Sequence, residues 1–202
     1  MITNREEVLE KAFKVFVKMN YEKASFTEIA KACGLSRAGI IHYFPYKLDL
    51  FVAVVDKFVF QIHHPNNKFD VKECTLKDFI ELYLKGVTAT MKRLVELIDD
   101  GDNPYDSCPN FYYFHFFTQV RMYYPNLRKQ IPKFYEQDYY LWTTIIQQAK
   151  DSGEIRPDTD VKKAATMFRQ MYFGLSYEQS FLNGLDVDLL AENFRYIYSL
   201  LK

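Results

Sequence analysis

The chain has 202 residues, enough for one good-sized domain or two small ones with a real core. Hydrophobic residues make up 49% and charged ones 26%, which excludes a disordered chain, and 26 Lys and Arg balance 26 Asp and Glu, which excludes a global basic field. The start is charged and periodic, and no run approaches the roughly 18 apolar residues of a membrane span, so a soluble cytoplasmic protein without a membrane partner is expected.

The first helix is expected to open on a capping box, Thr3 with Glu6, and Val8, Leu9, Ala12, Phe13 and Phe16 give it one apolar stripe. Asn20 is a plausible left-handed stop. A second capping box, Ser25 with Glu28, starts a short helix carrying Ile29, Ala30 and Cys33, and Gly34 supplies the positive φ of a tight turn. Ser36 caps a third short helix from Arg37 to about Phe44, which Pro45 interrupts. A longer helix follows from Lys47 to about His63, and a polar break runs from His64 to Lys68. Five further helical patterns are expected at about 76–98, 110–124, 127–152, 160–183 and 187–201. The loop from Asp99 to Pro104 closes the first of these, and Tyr124-Pro125-Asn126 forms a turn after the second. The second is aromatic nearly all round, which points to central burial, and Pro132 should kink or restart the third. No strand-period alternation persists, so the fold class is all-α.

The stretch Ser25 to Leu50 carries the chemistry. Two short helices around Gly34 cannot bury Ile29, Ala30, Leu35, Ile40 and Phe44 by themselves, so the first helix must supply the third wall. A three-helix unit whose last helix is short, capped and polar on one side is a helix-turn-helix, whose final helix enters the DNA major groove. Arg37 can fork onto guanine or grip a phosphate; His42 and Tyr43 can donate to phosphate oxygens. Lys47 opens the next helix, where charge and backbone donors favour a phosphate, and Ser25 and Thr27 offer donors at the mouth of the second helix. Ser36, Ala38 and Gly39 complete the candidate DNA-binding set.

Here the sequence resembles the tetracycline-repressor (TetR/AcrR) family. Ile29-Ala30, Cys33-Gly34-Leu35-Ser36, Ile40, His42-Tyr43-Phe44 and Lys47 fall at that family's signature positions, and Thr3, Val8-Leu9, Ala12 and Phe16 match its first helix. Four positions depart from the pattern: Ile41 stands where a phosphate-contacting Tyr is frequent, Tyr46 where a Ser cap is common, and Ala38-Gly39 replaces Gly-Thr. Specificity would then rest on Arg37, Thr27, His42 and DNA shape. The resemblance implies a helix-turn-helix domain over residues 1–46 and a larger helical ligand-binding and dimerisation domain over 47–202.

In that second domain the resemblance implies a cavity for a small, hydrophobic or aromatic effector, with Tyr83, Val87, Met91, Tyr113, His115, Phe117, Trp142, Phe168 and Tyr172 as candidate walls; dense core packing is the alternative for any one of them. Thr88 is expected in mid-wall, and the helix from Lys47 is expected to link cavity and DNA-reading helices as the single segment touching both. Leu190, Phe194, Ile197 and Leu201 run at 4-3-4 spacing and, with Phe168, Tyr172 and Leu175, can pair with a second copy as a four-helix bundle; internal packing is the alternative, and the resemblance implies the homodimer seam. His63 and His64 are adjacent and the cysteines Cys33, Cys74 and Cys108 lack metal-ligand spacing, so neither a metal nor a cofactor is expected. The function expected is a transcriptional repressor released from a palindromic operator by a small, largely apolar ligand. The alternative is a helical enzyme or adaptor that uses the aromatic cavity without binding DNA. No paired carboxylates, Ser/His/Asp pattern or phosphate-cradling glycine loop supports an enzyme.

Overall fold

Most helices of this protein begin at a polar side chain that takes up an orphan backbone donor. In the computed structural model, which describes residues 4–61, 74–98 and 108–202, Asn4 accepts from the Glu7 amide, Ser25 from Glu28, Ser36 from Gly39, Asp160 from Lys163 and Asp186 from Leu189. The cap of the first helix is therefore Asn4, one residue beyond the expected Thr3, which lies outside the described residues, as do the breaks at 64–68 and 99–104.

Among the described residues the elements are α1 (Arg5–Met19), α2 (Phe26–Cys33), α3 (Arg37–Tyr43), α4 (Lys47–Val55), α5 (Leu76–Ile98), α6 (Pro109–Tyr123), α7 (Leu127–Asp151), α8 (Val161–Gln179) and α9 (Val187–Leu201), with no strand. A π-helical turn, Asp56–Gln61, prolongs α4. Asn20 ends α1 at φ 72° and Gly34 ends α2 at φ 64°, where a Cβ would meet no atom but would strain the backbone. Pro132 sits six residues into α7, and the helix passes through it without a break. No single described helix is long and apolar enough to cross a membrane.

Two cores result. The first joins α1–α4 to α6 and the end of α5, around a cluster of rings in which Phe13 stacks on Phe58 at 4.3 Å and Phe116 meets Phe13 and Phe51 edge-on. The second joins α5, α7, α8 and α9 around Trp142, which stacks on Phe168 at 4.6 Å and meets Phe79 and Phe194 edge-on. The bend at Pro45 and Tyr46 precedes a helix whose Leu50, Phe51, Val54 and Val55 belong to the first core, so α4 packs with α1–α3. The helix α6 is less centrally buried than its aromatic run suggests: Phe116 and Val120 are fully buried, whereas Phe111 and Met122 face solvent.

The 4-3-4 stripe of α9 points inward. Leu190, Phe194, Ile197 and Leu201 are buried in the second core of their own chain, together with Phe168, and Leu175 packs against that core. Within one chain Leu190, Phe194, Ile197, Leu201 and Phe168 are thus taken up by core packing, and Leu175 is half-buried against it. The outward stripe of α9, one position away, carries Leu189, Tyr196 at 63% exposure and Leu200 at 43%.

Candidate nucleic-acid interface and aromatic cavity

The helix-turn-helix is assembled from local signals. Ser25 and Ser36 fix the starts of α2 and α3, Gly34 turns the chain between them, and Ile29, Ala30, Ile40 and Phe44 bury one side against α1. That leaves Arg37, Ala38 and His42 of α3 exposed, together with Ser25, Thr27 and Ser36, while Gly39 and Tyr43 are half-buried. A Cβ on Gly39 would make ordinary contacts at 3.5 Å with Leu35 and Ser36. What the missing side chain provides at this position is open surface on the exposed helix.

Lys47 behaves differently from its neighbours. Its ammonium donates to the Tyr21 carbonyl at 2.9 Å and lies 4.4 Å from the centre of the Tyr21 ring, so it fastens the start of α4 to the α1–α2 turn. The α4 N-terminus has no side-chain cap at Tyr46, and its first-turn N–H groups keep their capacity for an external acceptor. Arg5 lies over the Phe44 ring at 4.7 Å and braces the end of α3.

The second site is a cavity of about 150 Å³ between α5, α6, α7 and α8. Of the expected wall residues, Tyr83, Val87, Met91, Tyr113, Phe117 and Tyr172 lie on it. Trp142 and Phe168 do not: both are fully buried and stacked on one another in the second core. His115 does not either, because it is on the opposite side of α6, with Nδ1 at 3.1 Å from the Val17 carbonyl. Thr88 faces a separate surface groove between α5 and α9; Gly86 and Thr90 flank it in sequence and line the cavity. Sequence reading missed the polar wall groups Asn110, Asp138 and Ser176, and the rings of Phe134, Tyr135 and Phe173. Helical spacing carried the signal for some of these: Asn110 lies three residues before Tyr113, and Ser176 four after Tyr172.

The cavity is largely apolar, with polar groups at a few points. Burial pushes the Tyr172 phenol up to about 12 and raises Tyr83 and Tyr113 well above the usual phenol range, and for Tyr83 and Tyr172 the negative charge of Asp138 adds to the effect. Asp138 accepts from Arg169 Nε at 2.6 Å. Asn110, with 2% of its surface exposed, donates from Nδ2 to Ser176 Oγ at 3.3 Å, and its Oδ1 has no partner.

One helix joins the two sites. On its cavity side α6 presents Asn110, Tyr113, Phe114 and Phe117; on the other, His115 and Gln119 reach the last turn of α1, where Gln119 Nε2 donates to the Phe16 carbonyl at 3.0 Å. Tyr123 donates to Glu22 at 2.5 Å and stacks on Tyr21, and Tyr124 donates to Asp56 at 2.6 Å. The α4 helix is thus not the single link between the halves: α6 and α5 both touch α1 directly.

Residues 8–54 match the family model described as bacterial regulatory proteins, tetR family. Solved structures share the fold over nearly the whole length. A TetR family transcriptional regulator, PfmR, from Thermus thermophilus aligns at 18% identity and a TM-score of 0.64, covering 97% of this chain and 98% of that one. A TetR family regulator from Cytophaga hutchinsonii aligns at 21% identity and 0.65, covering 98% and 94%. A transcriptional regulator from Saccharomonospora viridis, determined in complex with choline, aligns at 21% and 0.61, covering 96% and 95%. No curated protein matches the chain by sequence. The family model is thus seated on α1, the capped helices α2 and α3 and most of α4, which together form a helix-turn-helix similar to that of bacterial regulatory proteins of the tetR family, and the fold shared with these solved regulators continues through α9.

Proposed function

We propose that the protein is a homodimeric repressor that leaves a palindromic operator when a small, largely apolar effector enters the aromatic cavity. The observation that carries this reading is the placement of α6, with cavity walls on one side and hydrogen bonds to the end of α1 on the other. A ligand that displaces Tyr113 or Phe117 must shift α6, and the shift reaches α1 through His115 and Gln119. The coupling needs a ligand that binds one of two states better, typically by about 1–3 kcal/mol. The Saccharomonospora viridis regulator was determined in complex with choline, which supports a small-molecule effector for a chain of this fold.

On DNA, Arg37 reads a guanine edge from the start of α3, while Ala38 and Gly39 let the helix backbone come close. His42 and Tyr43 donate to phosphates, as do Ser25 and Thr27 at the mouth of α2, and Ser36 caps the reading helix. The uncapped first turn of α4 adds backbone donors beside Lys47. The dimer forms through the outward sides of α8 and α9, where Met167, Tyr177, Tyr196 and Leu200 are exposed apolar residues on helices already packed together.

The test is operator binding by the full chain, measured by anisotropy on duplexes tiled across the DNA flanking its own gene. The expected result is a dimer on one inverted repeat, released when a ligand that raises the melting temperature is added. Absence of specific binding to every fragment would overturn the repressor reading.

A further inference from the structure

The cavity wall is chemically one-sided. Among the described residues, eight of the 17 that line it are aromatic, the one carboxylate is Asp138, and there is no lysine, arginine or histidine. Aromatic faces carry negative electrostatic potential and draw cations, most strongly where water is excluded. Asp138 is paired with Arg169, which stands behind it, donates also to the Tyr135 carbonyl, and lies over the rings of Tyr139 and Phe173. The negative charge nevertheless acts inside the cavity, since it contributes to holding the Tyr83 and Tyr172 phenols protonated. A purely apolar occupant would strip water from the Asp138 carboxylate while replacing none of its hydrogen bonds. A volume of about 150 Å³ is that of a site for a compact molecule of roughly benzene size.

We propose that the effector is a small organic cation, an ammonium with short apolar substituents, seated between the aromatic wall and Asp138. Its charge lies beside the carboxylate, its alkyl groups fill the space lined by Val87 and Met91, and a hydroxyl or N–H on its far side donates to Asn110. This inference rests on the reading of the cavity as the effector site and narrows it from apolar ligands in general to apolar cations.

Choline and neohexyl alcohol, the uncharged isostere in which carbon replaces nitrogen, have the same shape and differ in charge. Titration calorimetry of each into the full-length protein is expected to show choline binding at least tenfold more tightly, and choline alone should release the operator. If the alcohol binds as tightly as choline or more so, the cation inference is overturned while the effector site stands. If neither binds nor alters operator affinity, both fall. Two variants separate charge from architecture. Asp138→Asn should weaken choline at least tenfold and leave the alcohol unchanged, whereas Arg169→Gln, which removes the nearest positive charge, should tighten choline. Equal weakening of both ligands by both variants would make the pair a structural brace and overturn the proposal. Should either variant fail to fold, the choline and alcohol comparison decides alone.

Discussion

Arg37 opens α3 and Lys47 opens α4, and their surroundings assign them different work. Arg37 is exposed at the start of α3, so Arg37→Ala should leave the melting temperature unchanged. On operator DNA it should cost roughly 1–3 kcal/mol and relax preference at one base pair in each half-site. Lys47→Ala removes a charged hydrogen bond to the Tyr21 carbonyl and a contact with the Tyr21 ring. It should lower stability by about 1 kcal/mol or more, measured by thermal unfolding, and weaken all DNA sequences alike. A Lys47 variant of unchanged stability would mean that the tether contributes nothing. Ser25, Ser36 and Gly34 were legible from sequence because a cap or a left-handed turn is decided within four residues. The tether of Lys47 was not, because its partner Tyr21 lies 26 residues away and offers a backbone atom, which no residue pattern announces.

At the scale of elements, α5 and α6 were legible as helices but their faces were assigned less well. Adjacent helical positions point about 100° apart, so an error of one or two positions exchanges cavity for surface. Thr88 and Thr90 make the point: Thr88 faces the groove shared with α9, and Thr90 faces the cavity. Thr90→Trp should therefore fill the cavity and abolish ligand-induced release while operator affinity without ligand stays nearly constant. Thr88→Trp should leave both intact. The reverse pattern in an anisotropy titration would place the effector between α5 and α9 instead. The polar link of α6 makes a further prediction. Gln119→Leu deletes the hydrogen bond to Phe16 at nearly constant volume. Ligand binding, followed by the melting temperature, should persist, while the ligand's effect on operator affinity falls by about 1 kcal/mol, on the scale of one hydrogen bond. An unaltered ratio of affinities would route the coupling through α4 and the rings of Phe51 and Phe116.

For the whole molecule, the apolar stripes of α8 and α9 are readable in sequence, but their direction is not. Leu190, Phe194, Ile197 and Leu201 have the spacing of a bundle seam, and α5, α7 and α8 supply that seam within the chain, 100 residues and more away for α5. The outward stripe looks weaker by composition because Tyr196 and Leu200 alternate with Asn193 and Ser199, yet it is the side left for a second copy. Two double substitutions distinguish the faces. Phe194→Glu with Ile197→Glu would bury two charges in the monomer's own core, and the chain should lose its helical circular dichroism at ordinary temperature. Tyr196→Glu with Leu200→Glu places the same charges on the exposed side, so the helical signal should persist while light scattering reports the mass of one chain. DNA binding then supplies an independent reading. The whole chain carries no net charge, so salt dependence reports local phosphate contacts and not a general basic field. A dimer touching about 6–10 phosphates should lose about 10³–10⁵ in affinity between about 50 and 200 mM salt. The Tyr196/Leu200 variant, with one reading head per molecule, should show about half that slope on logarithmic axes. If it remains dimeric with the full slope, the two copies meet elsewhere, and the outward faces of α8 and α9 are ordinary solvent-exposed surface.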